Sequence, residues 1–293
     1  MLNLIHKAVP GFIASMAAEY VTAKRAGRED LWADKRDAAT SIAMGLVNVA
    51  GEAVMKRATR RINEWCYEHR VCDFPLEGAA RKAAIIVIDD FAYYWFHRMS
   101  HEVRVLWSAH VNHHSSERYN LSTALRQSWF TPITKVPFFA PMCLIGLTPD
   151  EVEHAHHVNL VYQFWVHTQL VDRIGPLEEI LSTPSHHRVH HGTNLDYLDT
   201  NYGGIFIVWD RLFGTFQREK RDDPVEYGIL HNLESYNLAK AEFHEFAAMV
   251  RDVAAAGSVG DALRHVWGPP GWSADGSSMT VTEMRAAATA AAE

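Results

Sequence analysis

Thirteen of the chain's eighteen histidines lie between His97 and His191. Imidazole is the commonest metal ligand and titrates near neutrality, so a chain that crowds it this way needs either metal or protons. The spacing favours metal. His97 and His101 in HRMSH are an i, i+4 pair, which 3.6 residues per turn places on one helix face. His110, His113 and His114 in HVNHH have i, i+3, i+4 spacing, and His187, His190 and His191 repeat it as HxxHH. One pair and two triplets offer eight ligands, and His167 in FWVHT is a ninth.

Any one of these histidines alone reads as a hydrogen-bonded core residue. As a set they do not, because eight imidazoles gathered without a cation leave polar groups crowded and unpaired. One tetrahedral ion uses four ligands, so eight or nine imply two metals. The zinc-hydrolase pattern HExxH is absent, since His101 and Glu102 are followed by Val103, Arg104 and Val105. Imidazole ligation suits iron, copper or zinc. His186 is a reserve ligand, while His154, His156 and His157 fit no ligand pattern.

The expected fold is all-α, a membrane-embedded helical bundle carrying a cytoplasmic, histidine-rich dimetal cap. Residues 1–18 lack a basic leader and a cleavage site, and read as a first helix. Residues 38–55 are rich in small residues and carry only Glu52, which suits close helix packing in a bilayer. The basic residues that follow, from Lys56 to Lys82, place that side in the cytoplasm. A second apolar helix starts near Ala83 and runs into HRMSH. Residues 129–147 are apolar but interrupted by Pro132, Pro137 and Pro141, which predicts a kinked or re-entrant segment, and residues 158–171 are expected to return. No later stretch is long and apolar enough to span. Three parts are expected: N-terminal membrane or interfacial helices over 1–82, a catalytic domain over 83–220, and a soluble helical tail over 221–293.

A net charge of -7 without a basic block argues against a nucleic-acid partner. Cys66, Cys72 and Cys143 form no CxxC pair, and no glycine-rich dinucleotide fingerprint occurs, so reducing equivalents must come from outside the chain. Metal-bound imidazoles donate their second N–H to carboxylates or carbonyls, which draws attention to Glu102, Glu117, Asp196 and Asp199. Asp90, on the His97 face of an apolar helix, is costly unless it lines a wet or metal-bearing cavity. Asp90, Glu102 and Glu117 are the candidate catalytic acids. Arg188 and Arg211 read as surface charge.

The runs DFAYYWFHRMSHE, WSAHVNHHSSERYNLSTALRQS, YQFWVHT, PSHHRVHHG and NYGGIFIVWDRLFGTF together resemble the fatty acid hydroxylase superfamily, specifically its sterol desaturase and alkylglycerol monooxygenase branch. The resemblance covers about residues 85–220. It implies an integral-membrane, non-haem diiron oxygenase with two Fe ions. The ligands it implies are His97, His101, His110, His113, His114, His187, His190 and His191, with His167 beside them. Such an enzyme hydroxylates or desaturates an aliphatic C–H bond of a lipid or sterol-like substrate, with O₂ and two electrons from a donor protein or a reduced pterin. Two other readings use the same ligands: a binuclear metallohydrolase, and a non-catalytic metal-binding membrane protein.

Overall fold

The computed structural model describes residues 4–292. The first element is the expected helix, α1 (Leu4–Arg25), followed after a 3-10 turn at Glu29–Trp32 by α2 (Lys35–Glu68). The Asp34 carboxylate caps α2 by accepting the amides of Arg36 and Asp37 at 3.0 and 3.1 Å. Among the described residues α2 is the one helix long and apolar enough to cross a membrane, with a window of mean hydropathy 1.4. Leu46 and Val54 stand exposed on it, while Ala38, Ser41 and Met44 are buried. Its small residues serve close packing as expected: a Cβ on Gly45 would sit 2.6 Å from the Leu125 carbonyl oxygen.

The helix expected from Ala83 is α3 (Gly78–Glu102), which carries His97 and His101 near its C-terminal end. Two one-turn helices follow, α4 (Arg104–Trp107) and α5 (Val111–His114), then a 3-10 turn at Leu121–Leu125. The proline-interrupted segment is broken as its prolines dictate, into α6 (Thr131–Thr134), α7 (Val136–Phe139) and α8 (Pro141–Leu144), each with proline in its first turn.

The returning run expected over 158–171 is different. α9 (Pro149–Phe164) begins earlier, behind a Thr148–Glu151 capping box, and ends at Phe164. Val166, His167 and Thr168 then continue as buried chain inside the protein. α9 lies along α3 and α1, and the core between α3, α7, α8 and α9 is built from Ile85, Tyr93, Phe96, Phe139, Met142, Leu147 and Val152. Three residues of the basic stretch after residue 55 pair with the acidic start of α9, through Lys56–Glu153, Arg60–Asp150 and Arg81–Glu151 at 2.6, 2.7 and 2.6 Å.

Beyond a 3-10 turn at Gly175–Glu179 come α10 (Pro184–His190) and α11 (Val208–Phe213). The tail holds α12 (Leu238–Ala255), α13 (Val259–Trp267) and α14 (Val281–Ala292). The tail is docked to the rest of the chain through Arg104. Its amide donates to the Gly268 carbonyl, and its guanidinium binds Glu245 and Asp252 at 2.8 and 2.6 Å. Strand pairing among the described residues is limited to two isolated bridges, so the all-α expectation is met.

Candidate metal centre

Nine imidazoles meet as two adjoining groups, one of His97, His101, His110, His114 and His190, the other of His113, His167, His187 and His191. Within each group the available ligand atoms lie within 4.8 Å of one another. Nitrogens sharing one first-row ion at about 2.1 Å sit roughly 3 to 4.2 Å apart, so both groups come close to the size that one ion needs. The two HxxHH triplets interleave. α5 sends His114 to the first group and His113 to the second, while α10 and its end send His190 to the first and His187 and His191 to the second. The groups touch where the rings of His114 and His191 stack at 4.3 Å.

The orientation of the rings tests whether a cation fits. The Nδ1 atoms of His97, His113, His167 and His190 lie 2.9, 3.2, 2.8 and 2.9 Å from the carbonyl oxygens of Tyr202, Arg126, Gln163 and Thr200. A carbonyl only accepts, so in each ring Nδ1 carries the proton and Nε2 is left with a bare lone pair. The Nε2 atoms of His113 and His167 nevertheless face each other at 3.3 Å, with no hydrogen between them. His187 Nε2 approaches His167 Nε2 to 2.9 Å, and His97 and His110 meet at 3.1 Å through the same atoms. The Nε2 atoms of His101, His190 and His191 are buried with no partner. Lone pairs aimed at one another repel unless a cation lies among them, so this donor set fits metal ions. Burial and mutual repulsion push His110, His113, His114, His187, His190 and His191 well below the ordinary histidine range. They are therefore neutral at neutral pH, and protons do not compete for their lone pairs.

The loop after α10 supplies the orienting carbonyls of Thr200 and Tyr202, and two buried carboxylates hold that loop. Asp210 accepts the amides of Tyr202 and Gly203 at 2.7 and 2.8 Å and the Thr215 hydroxyl at 2.7 Å. Burial raises its carboxyl to about 7. Asp90 accepts the amides of Ile205 and Phe206 at 2.6 and 2.9 Å, the Trp209 indole at 2.9 Å and the Asn159 amide at 3.0 Å. The fit requires glycine, since a Cβ on Gly204 would lie 2.7 Å from Asp90 Oδ1 and 2.5 Å from Asn159 Oδ1.

The three candidate acids are thus not placed as expected. Asp90 is fully buried and its oxygens are taken by the loop it anchors. Glu102 pairs with Arg98 at 2.8 Å, on the rim of the cavity that reaches His101. Glu117 is exposed. None joins either imidazole group. The carboxylate that does meet an imidazole is Asp199, 3.2 Å from His101 Nδ1. Asp196 pairs with Lys220 on the surface. Arg188 is buried, against expectation, because it binds Glu219 through two nitrogens and the carbonyls of Thr168 and Val171. Arg211 pairs with Glu179 at 2.9 Å and lies over the Phe216 ring. His186 turns toward Thr183 and Phe216, His156 packs on Phe139, and His154 is exposed. None of these three, nor His157, enters a group.

Sequence reasoning missed Asp210 and Glu242. Glu242 accepts from Asn112 and Ser128 at 2.7 Å each and from the Trp129 amide at 3.0 Å, which steadies α5 from the tail. The signal for Asp210 was its place as an acid inside the apolar run IFIVWDRLF. Access to the two groups is unequal. A vestibule of about 1620 Å³ reaches His101, His114 and His190 of the first group and none of the second, and its outer wall is the tail, including Trp272, Thr280 and Arg285.

Residues 83–215 match the fatty acid hydroxylase family model. The chain is 38% identical to the alkylglycerol monooxygenase of Homo sapiens, over 92% of this chain and 60% of that protein. It is 40% identical to the alkylglycerol monooxygenase of Danio rerio, over 80% of this chain and 52% of that protein. An ornithine lipid hydroxylase of Rhizobium tropici is 33% identical over 49% of this chain and 44% of its own length. The chain therefore spans about half the length of the curated relatives it matches. No solved structure matches it. The segment over residues 83–215, which carries all nine converging imidazoles, belongs to the fatty acid hydroxylase family.

Proposed function

We propose that this chain is a membrane-bound, non-haem diiron oxygenase that hydroxylates, or desaturates, an aliphatic C–H bond of a lipid or sterol-like substrate. The observation that carries this reading is the face-to-face approach of the bare Nε2 atoms of His113 and His167. Two irons, when bound, supply the redox chemistry with O₂ that zinc lacks. The residues of the chain do the rest. The carbonyls of Tyr202, Arg126, Gln163 and Thr200 orient four rings, and the Asp90 and Asp210 carboxylates hold the loop that presents two of those carbonyls.

The names of the relatives, which act on alkylglycerol and ornithine lipid, support a lipid substrate, and an alkylglycerol is the first to test. The absence of a dinucleotide fingerprint supports an external donor of two electrons, either a protein or a reduced pterin. α2 serves as membrane anchor in this reading, with the imidazole groups and the tail over 221–293 on the cytoplasmic side and the catalytic domain over 83–220 between them. Incubation of the iron-loaded protein with ¹⁸O₂, a reductant system and an alkylglycerol or a cell lipid extract is expected to yield an ¹⁸O-labelled alcohol. An unlabelled alkene assigns desaturation instead, and turnover under strict anaerobiosis contradicts the oxygenase reading in favour of hydrolysis.

A further inference from the structure

Three buried tyrosines lie against the imidazole groups, Tyr93 beside His97 with its hydroxyl engaged by Gln163, and Tyr119 and Tyr202, which differ in what their hydroxyls do. Tyr119 stacks on His167 and lies against His191, and its hydroxyl is spent on the Val166 carbonyl at 3.0 Å. Tyr202 lies against His97, His101 and His190, with ring centroids 5.9, 5.3 and 5.9 Å away. Its residue is fully buried, and its hydroxyl is the only buried hydroxyl without a partner among the described residues. An unsatisfied buried hydroxyl lowers stability, so a fold that retains one beside an otherwise well-ordered site has a use for it.

The ring has little freedom to find another partner. Its own backbone is held at both polar atoms, the amide by Asp210 and the carbonyl by His97 Nδ1. The Nε2 atoms of His101 and His190 beside it are likewise unpartnered. His101 and His190 also line the vestibule through which a small molecule reaches the first group.

We propose that the Tyr202 hydroxyl donates a hydrogen bond to the small oxygen or nitrogen ligand that the five-imidazole group takes up from the vestibule. This rests on the reading of the two groups as metal sites. Tyr202 then acts on the incoming ligand and not on the metal, so its loss leaves metal content intact and weakens small-anion binding. Tyr119 has no such role because its hydroxyl is already committed.

The test compares iron-loaded wild-type protein, Tyr202→Phe and Tyr94→Phe, with azide as the probe, followed by its charge-transfer absorption. Tyr94 is an equally buried control on α3 whose hydroxyl is engaged by Thr215 and Arg98 at 3.0 and 3.2 Å. Expected are wild-type iron content in both variants, an unfolding midpoint for Tyr202→Phe equal to or above wild type, and an azide dissociation constant raised about tenfold in Tyr202→Phe alone, the size of one hydrogen bond. An azide constant within twofold of wild type, or iron lost along with the hydroxyl, overturns the assignment. Wild-type protein that takes up no iron contradicts the metal-site reading itself, and the assignment falls with it.

Discussion

Replacing His190 with alanine is expected to remove metal from the five-imidazole group and to abolish turnover, and replacing His113 with alanine is expected to do the same at the four-imidazole group. Changing only an outer partner of a metal ligand typically costs 10- to 100-fold in affinity, so loss of the ligand itself costs more than about 100-fold. The effect of His113→Ala is the larger at its own site, because that group has four imidazoles and no spare one. His69→Ala is the matched control: His69 is exposed, stacked on Trp65 at 4.4 Å, and belongs to neither group. Iron content and activity measured on the three variants check this. His69→Ala losing metal, or His113→Ala keeping both ions, contradicts the assignment of ligands.

Asp90→Ala is expected to have the largest effect on the fold. The substitution removes the acceptor of four donors at once, the buried Ile205 and Asn159 and the part-buried Phe206 and Trp209, of which only Asn159 keeps another partner, in Asp89. Each stranded donor costs about 1–3 kcal/mol, and since neighbouring losses do not add fully, a destabilisation of about 3–5 kcal/mol is expected. The loop released is the one whose Thr200 and Tyr202 carbonyls orient His190 and His97, so metal content falls as well, although Asp90 touches no imidazole. Unfolding in denaturant combined with elemental analysis reads both effects. A variant of wild-type stability that still lacks activity would return Asp90 to a catalytic role.

Eight of the nine imidazoles were legible in sequence because their spacing is local, whereas His167 stands alone beyond the end of α9. A pair four apart and two HxxHH triplets meet on short helical segments whatever surrounds them, and α3, α5 and α10 are those segments. The broken stretch after residue 130 was legible for a similar reason, since a proline acts on its own turn. The candidate catalytic acids were not. Asp90 does share a face with His97, but what that face meets is a loop more than a hundred residues later, whose amides take both oxygens. Asp199, singled out from sequence among the acids beside the histidine clusters, does reach His101, from a loop position at φ 50°. The apolar run over 158–171 misled for a related reason: hydropathy does not separate a bilayer from a protein interior, and Val166 and Thr168 are buried in the latter.

Two cations shared among nine histidines underlie the proposed chemistry, which makes metal stoichiometry the most direct test. Protein purified in detergent and loaded with ferrous iron under anaerobic conditions, then analysed by mass spectrometry of the elements against amino-acid analysis, is predicted to hold two irons per chain. His190→Ala is predicted to keep at most one. One ion or none in wild-type protein that is active would contradict the division of the imidazoles into two metal sites.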